Sequence, residues 1–224
     1  MRGRKRGHEK FLDRDQFEAL VRAAKANSYP QAADLLYSAG TLGLRIGEAI
    51  ALNRGCFGRL GGGFVEIETL KRFDIPPEAQ REIAQRLRDG KGSGKRLGKY
   101  PHLVLPVTLG PNAQEYFLRL LAKTPPGQHY LFPGRARKSH ISATHAERIF
   151  HQCAVAAGLG PTYSFHSLRH HKGVAMWEKT KDREQIAAEL RHSSVDTTKI
   201  YTHLSEKEKR ALAVKVDADY TFAP

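Results

Sequence analysis

The chemistry in this chain gathers in two places. Arg45 lies in GTLGLRIGEAIAL, and His166, Arg169, His192 and Tyr201 follow one another through FHSLRHHKGVAMWEKTKDREQIAAELRHSSVDTTKIYTHL. Two arginines, two histidines and a tyrosine are the parts needed to cut and rejoin a nucleic-acid phosphodiester without a metal. Attack on such an ester builds a second negative charge on the non-bridging oxygens. The planar arginine fork makes paired hydrogen bonds to phosphate and stays charged at any working pH, so two forks can stabilise that charge with preorganised donors. A tyrosine hydroxyl, with a pKa of roughly 10, is a poor nucleophile at neutral pH. Neighbouring cations favour its phenolate, and attack then gives a covalent phosphotyrosyl intermediate. Histidine suits proton handling near neutrality. A lysine of lowered pKa can protonate the departing sugar oxygen. The phosphotyrosyl bond conserves the energy of the broken linkage, so rejoining needs no ATP.

Taken singly, each residue has a plainer explanation. A tyrosine at a helix end usually packs, and His192 reads as a cap or a solvated surface residue. H-x-x-R has many chance matches, and Arg45 with Glu48 reads as an ion pair on an amphipathic helix. The functional reading rests on their joint occurrence, in order, over about 150 residues.

These residues carry a resemblance to the tyrosine recombinases, or phage-integrase-like recombinases, extending from about Lys10 to Leu204. GLRIGEAIAL resembles the first arginine box, with Arg45 followed by the acidic Glu48. His166, Ser167, Leu168, Arg169 and His170 match the second box, H-x-x-R-H. The third box, L-G-H-S-S followed by T-T and a tyrosine, matches Leu190 to Tyr201, with Arg191 where glycine is usual. The resemblance implies that Tyr201 is the nucleophile, that Arg45 and Arg169 hold the phosphate, that His166 handles the proton and that His192 donates a hydrogen bond to the phosphate. It implies a 3′-phosphotyrosyl intermediate on double-stranded DNA, with no cofactor and no metal.

The resemblance also places a lysine in a β-turn after the first box. The run from Gly63 to Leu70 alternates apolar and acidic residues as a strand does and closes at Lys71-Arg72. The next strand-like run, His102 to Val107, follows a long insertion containing KGSGKRLGK. Lys71 is favoured as the general acid, and Lys95 is the alternative. Lys91, Lys95, Arg96 and Lys99, in this glycine-rich stretch, are expected to touch backbone phosphates, as are Arg72 and Lys172.

The chain has 224 residues, with 37 Lys and Arg against 23 Asp and Glu, a formal charge of +14 and a pI near 9.9. Such an imbalance points to a polyanionic partner, nucleic acid before anionic membrane. No apolar run approaches the roughly 18 residues needed to cross a bilayer, and no signal-peptide core follows Met1. The opening MRGRKRGHEK reads as a basic arm in which Arg2, Arg4, Lys5 and Arg6 could follow a DNA backbone; a solubilising terminus is the equal alternative. Cys56 and Cys153 fall in separate elements, without zinc spacing, which suits a reduced cytoplasmic protein. None of the eleven histidines forms H-E-x-x-H, so no metal site is expected.

Helices are expected from Asp13, from Pro30 to about Ser38, from Arg45 through Leu52, from Pro111 to about Lys123, over Ser142 to Ala157, and at about 166–178 and 183–190. Strands are expected near 56–60, 63–70 and 102–107, with Gly61-Gly62 at the first turn and a short inserted helix over Pro77 to Arg88. Tyr201 is expected on or beside a further short helix. The fold class is mainly α with a small antiparallel β-sheet (α+β), organised as a basic arm over 1–10, a catalytic domain over 11–212 and a tail over 213–224.

Family members usually carry an N-terminal helical DNA-binding domain before this pattern, and here the pattern starts close to Met1. A short single-domain recombinase is therefore expected, unless a partner supplies the other half of the clamp or the sequence is an excised domain. The expected function is site-specific recombination by a homo-oligomer, a tetramer in the synaptic complex, with a possible accessory DNA-binding protein, no membrane partner and a nucleoid-associated location. A catalytically idle DNA-binding factor and a type IB-like topoisomerase are the alternatives. Target sequence, and integration against excision, inversion or dimer resolution, are not encoded in these motifs.

Overall fold

A computed structural model describes residues 11–69, 103–135, 139–182, 185, 186, 189, 190, 206–218 and 224. Outside these lie the basic arm with Arg2, Arg4, Lys5 and Arg6, the insertion with Lys71, Arg72, Lys91, Lys95, Arg96 and Lys99, the inserted helix expected at 77–88, and both His192 and Tyr201.

The first helix, α1 (Arg14–Ala24), starts where a capping pair forms: Asp13 accepts from the Gln16 backbone N–H, and Gln16 reaches back to the Asp13 N–H. Its apolar positions Phe17, Leu20, Val21 and Ala24 are all buried, as their spacing predicts. Helix α2 (Ala32–Leu42) is buried at every position except the half-buried Asp34 and stops at Gly43. There the chain turns left-handed, at φ +60°, and the Gly43 and Leu44 N–H groups close back on Gly40 and Ala39. This turn delivers Arg45 to the N-cap of the short helix α3 (Ile46–Ile50).

Strands β1 (Phe64–Thr69) and β2 (Leu103–Thr108) pair antiparallel, with Val65 opposite Val107 and Ile67 opposite Leu105. Val65 and Ile67 face the core while Glu68 is exposed, as alternation requires. The strand expected near 56–60 does not form. Residues Arg54–Phe57 and Leu60–Gly62 are 3₁₀ turns, so among the described residues the sheet has two strands instead of three. The Asn53 side chain accepts from the Gly55 N–H and coils the chain, and glycines at 55, 58, 61, 62 and 63 give a strand little to pack.

Helix α4 (Pro111–Lys123) opens on a proline at its first position, and α5 (Ala143–Ala156) is capped by the Ser142 hydroxyl. Helix α6 (His166–Thr180) crosses the molecule against α1 and α2. Helix α7 (Glu206–Asp217) packs on α4, α6 and β2. It runs past position 212, where the sequence suggested that a tail begins, and buries Val216. Aromatic rings of Phe17, Tyr37, Tyr116, Phe117 and Phe57 form a continuous line through the core that ties α1, α2 and α4 together. The architecture is the mainly helical fold with a small antiparallel sheet that the sequence suggests.

Candidate active site

Arg45 and Arg169 come from helices 124 residues apart and meet at one carboxylate. Glu48, one turn into α3, accepts from the Arg45 backbone N–H at 2.9 Å and from Arg45 Nη1 at 2.8 Å. The same carboxylate lies 3.8 Å from Arg169 Nη1. Glu48 sits at the third position of α3, where a glutamate reaches back to cap the helix start and interacts well with the exposed N–H groups there.

Arg169 is among the most buried side chains of the described residues, at 2 % exposure. A buried guanidinium is costly unless its charge is paired and its donors are hydrogen-bonded. Here Nη1 donates to the Gly43 carbonyl at 2.7 Å, Nη2 donates to the Leu190 carbonyl, and Glu48 supplies the counter-charge. The three sequence motifs therefore converge on one group: Gly43 to Glu48 from the first, Arg169 from the second, and Leu190 from the start of the third. Arg45 is less enclosed, with 19 % of its side chain exposed, so the pair presents one arginine toward solvent and one behind it.

His166 opens α6 and is exposed, one turn before Arg169. Its ring meets that of His170 edge-on, with centroids 4.5 Å apart. His171, on the opposite side of the helix, is a core residue whose Nδ1 meets the Leu12 carbonyl at 2.8 Å and whose ring lies on Phe17. The adjacent histidines thus serve different faces, as helical geometry requires.

Lys172 corrects one expectation. Instead of standing at a DNA-facing surface it is 7 % exposed, with its stem beside Gly43 and its charge attracted by Asp217 of α7. It lies one turn beyond Arg169 on the same buried face, where a long aliphatic stem covers apolar surface well. Two site-forming residues were not among the candidates. Gly43 supplies the turn and a carbonyl, and its signal was the glycine just after an apolar helix run. Glu48 reads in the sequence as the ion-pair partner of Arg45, and that pair forms; its spacing of three from the N-cap also marks it as a helix-start residue. Among the described residues, no group of His, Cys, Asp and Glu is arranged to hold a metal ion.

Residues 10–208 match the model of the phage integrase family. The chain belongs to that family. This family member is 28 % identical over 209 residues to the tyrosine recombinase XerD of Caulobacter vibrioides, an alignment covering 88 % of the chain and 58 % of that protein. The chain thus spans little more than half the length of this curated relative. Among solved structures, the integrase from mycobacterium phage Brujita superposes with a TM-score of 0.63 at 16 % identity, over 99 % of this chain and 66 % of that one. The XerH site-specific recombinase, bound to palindromic difH substrate in a post-cleavage complex, superposes with a TM-score of 0.58 at 17 % identity, over 90 % and 51 %. At these identities the superpositions establish the shared fold of the family.

Proposed function

We propose that this chain is a site-specific DNA recombinase that cleaves and rejoins duplex DNA through a covalent 3′-phosphotyrosyl intermediate. The observation that carries this reading is the convergence of Arg45 and Arg169 on Glu48, with Leu190 of the tyrosine-bearing motif held on the same guanidinium. A carboxylate between two arginines holds their forks in one place before a phosphate arrives, which is what transition-state stabilisation by fixed charge requires.

In this reading, the Tyr201 phenolic oxygen attacks phosphorus, helped by the arginine cluster, while His166 takes up the phenolic proton. The bond from phosphorus to the 5′ oxygen breaks, and Lys71 gives that oxygen its proton. His192 donates to a non-bridging oxygen. Attack by a 5′ hydroxyl on the phosphotyrosyl bond reverses the step and restores the tyrosine. The basic arm, Arg72 and the Lys91, Lys95, Arg96 and Lys99 stretch would neutralise flanking backbone phosphates. The +14 charge favours such a polyanionic partner. The palindromic DNA of the XerH complex favours symmetric binding, so we assign two copies to a site and a tetramer to a pair of sites, in the nucleoid. No described helix is long and apolar enough to cross a membrane.

The test begins with selection of the DNA sites the chain binds. Selected sites are then offered as supercoiled circles and as suicide duplexes nicked near the point of cleavage. A covalent protein–DNA adduct together with strand exchange supports the recombinase. Relaxation without exchange would support a topoisomerase, and binding without either would support an idle DNA-binding factor.

A further inference from the structure

Helix α7 begins five residues after Tyr201. Five residues of extended chain reach at most about 18 Å, so the seat of this helix limits where that hydroxyl can go. The helix is held at several points. Arg210 donates to the Gly62 carbonyl at 3.2 Å and lies over the Phe64 ring, and Val216 is buried in the core. Its last residue, Asp217, makes the most unusual contact.

Asp217 is 4 % exposed, and its carboxylate sits at the C-terminal end of its own helix, where the helix dipole disfavours negative charge. Burial raises the pKa of its carboxyl above the ordinary carboxylate value. Both effects work against a carboxylate at this place. The compensation lies across the interface, at the N-terminus of α4. Gly110, its N-cap, has no side chain to satisfy the exposed N–H groups, and Asp217 does so instead. Its Oδ2 accepts from the Asn112 N–H at 2.6 Å and its Oδ1 from the Ala113 N–H at 2.9 Å, while the Asn112 side chain donates back to the Asp217 carbonyl. Gly110 is required by this fit, because a Cβ there would stand 2.2 Å from Asp217 Cβ. The buried Lys172, one turn from Arg169 on α6, attracts the same carboxylate.

We propose that Asp217 is a positioning residue for the reaction: by capping α4 and facing Lys172 it seats the helix that follows Tyr201 on the arginine-bearing body, and so sets how often the tyrosine meets the phosphate. The inference rests on the proposed phosphotyrosyl chemistry. Asp217 touches neither DNA nor the reacting atoms in this account. It acts through the tether, as a determinant of local concentration and orientation.

The test uses the full chain and its selected DNA site. Single-turnover adduct formation at saturating suicide duplex is measured beside DNA affinity and thermal unfolding, for Asp217→Asn and for Gly110→Ala. The second variant disturbs the same contact from the other side without altering α7. Both should lower the adduct rate by about ten- to a hundredfold, the scale on which small misplacement of a reacting group acts, with DNA affinity within about twofold of the parent. Asp217→Glu, which keeps the charge, should recover part of the rate. An unchanged rate in both variants would overturn the proposal, as would a parallel fall in rate and affinity, which would mark a general structural role. Failure of the unsubstituted chain to form any adduct would overturn the phosphotyrosyl reading instead.

Discussion

Glu48 is shared by both arginines of the site, with one carboxylate oxygen 2.8 Å from Arg45 Nη1 and the other 3.8 Å from Arg169 Nη1. Its side chain is only 1 % exposed. Removing one partner of a buried charged cluster leaves uncompensated charge and costs about 3–5 kcal/mol. Glu48→Ala is therefore expected to destabilise the fold by that amount in urea unfolding and to abolish DNA cleavage. Glu48→Gln keeps the shape and a hydrogen-bonding oxygen but not the counter-charge, and is expected to cost less stability while still lowering cleavage. Wild-type stability and cleavage in Glu48→Ala would remove Glu48 from the site.

Gly43 is the second structural pivot. Alanine there must adopt a φ near +60°, which costs about 1–2 kcal/mol, and its Cβ would come within 2.6 Å of Leu190 Cδ2 and 3.1 Å of Lys172 Cγ. The carbonyl that receives Arg169 belongs to the same residue. Gly43→Ala is expected to lower the thermal unfolding midpoint and to reduce cleavage by shifting Arg169. Gly61→Ala, where an added Cβ meets nothing within 4 Å, is the control and is expected to leave both unchanged.

The sequence revealed the helices with strong apolar periodicity and the motifs that the site unites. Phe17, Leu20, Val21 and Ala24 point inward as their spacing requires, and Pro111 and Ser142 mark helix starts through chemistry confined to a few residues. The stretch from Arg54 to Gly62 was misleading because short apolar runs between glycines fit a strand or a 3₁₀ turn equally well, and the Asn53 side chain decided between them. Lys172 was misplaced for a different reason. Charge alone suggested DNA, while its burial depends on Gly43 and Asp217, which are 129 and 45 residues away in sequence. Nor does local pattern disclose that Asp217 caps α4, since the donors and the acceptor belong to different helices.

Burial gives the protein a predictable alkaline weakness. The Cys153 thiol, 1 % exposed, is pushed up to about 11 by desolvation, from an ordinary value of 9.0. The folded pKa lies above the unfolded one, so this contribution to stability is fully present below about pH 9 and is lost as pH rises through about 11. Burial raises the Tyr29 and Tyr37 hydroxyls in the same direction. Urea unfolding should therefore show stability falling over that window, with a shallower fall in Cys153→Ala. At about pH 8, Cys153 should resist alkylation until the chain is unfolded. Rapid labelling of Cys153 in the folded protein would contradict its placement.

The general acid can be assigned with a sulfur substrate. If Lys71 protonates the leaving 5′ oxygen, Lys71→Ala should cleave an ordinary duplex slowly. A duplex with sulfur at the bridging 5′ position has a better leaving group that needs little protonation, so its cleavage should be largely restored. Arg45→Ala and Arg169→Ala should gain no such selective rescue, because the role proposed for them is to hold phosphate charge. Rescue of Lys95→Ala in place of Lys71→Ala would move the role to the insertion.

The most direct measurement is the identity of the residue that carries the DNA. The adduct trapped on a suicide duplex is digested with protease and nuclease, and the modified peptide is sequenced by mass spectrometry. A nucleotide phosphate is expected on Tyr201, and no adduct from Tyr201→Phe although that variant binds the duplex within a few-fold of the parent. A phosphate on Tyr220, on Tyr163 (8 % exposed and close to Gln16), or on any side chain other than Tyr201 would contradict it, as would an adduct that persists in Tyr201→Phe.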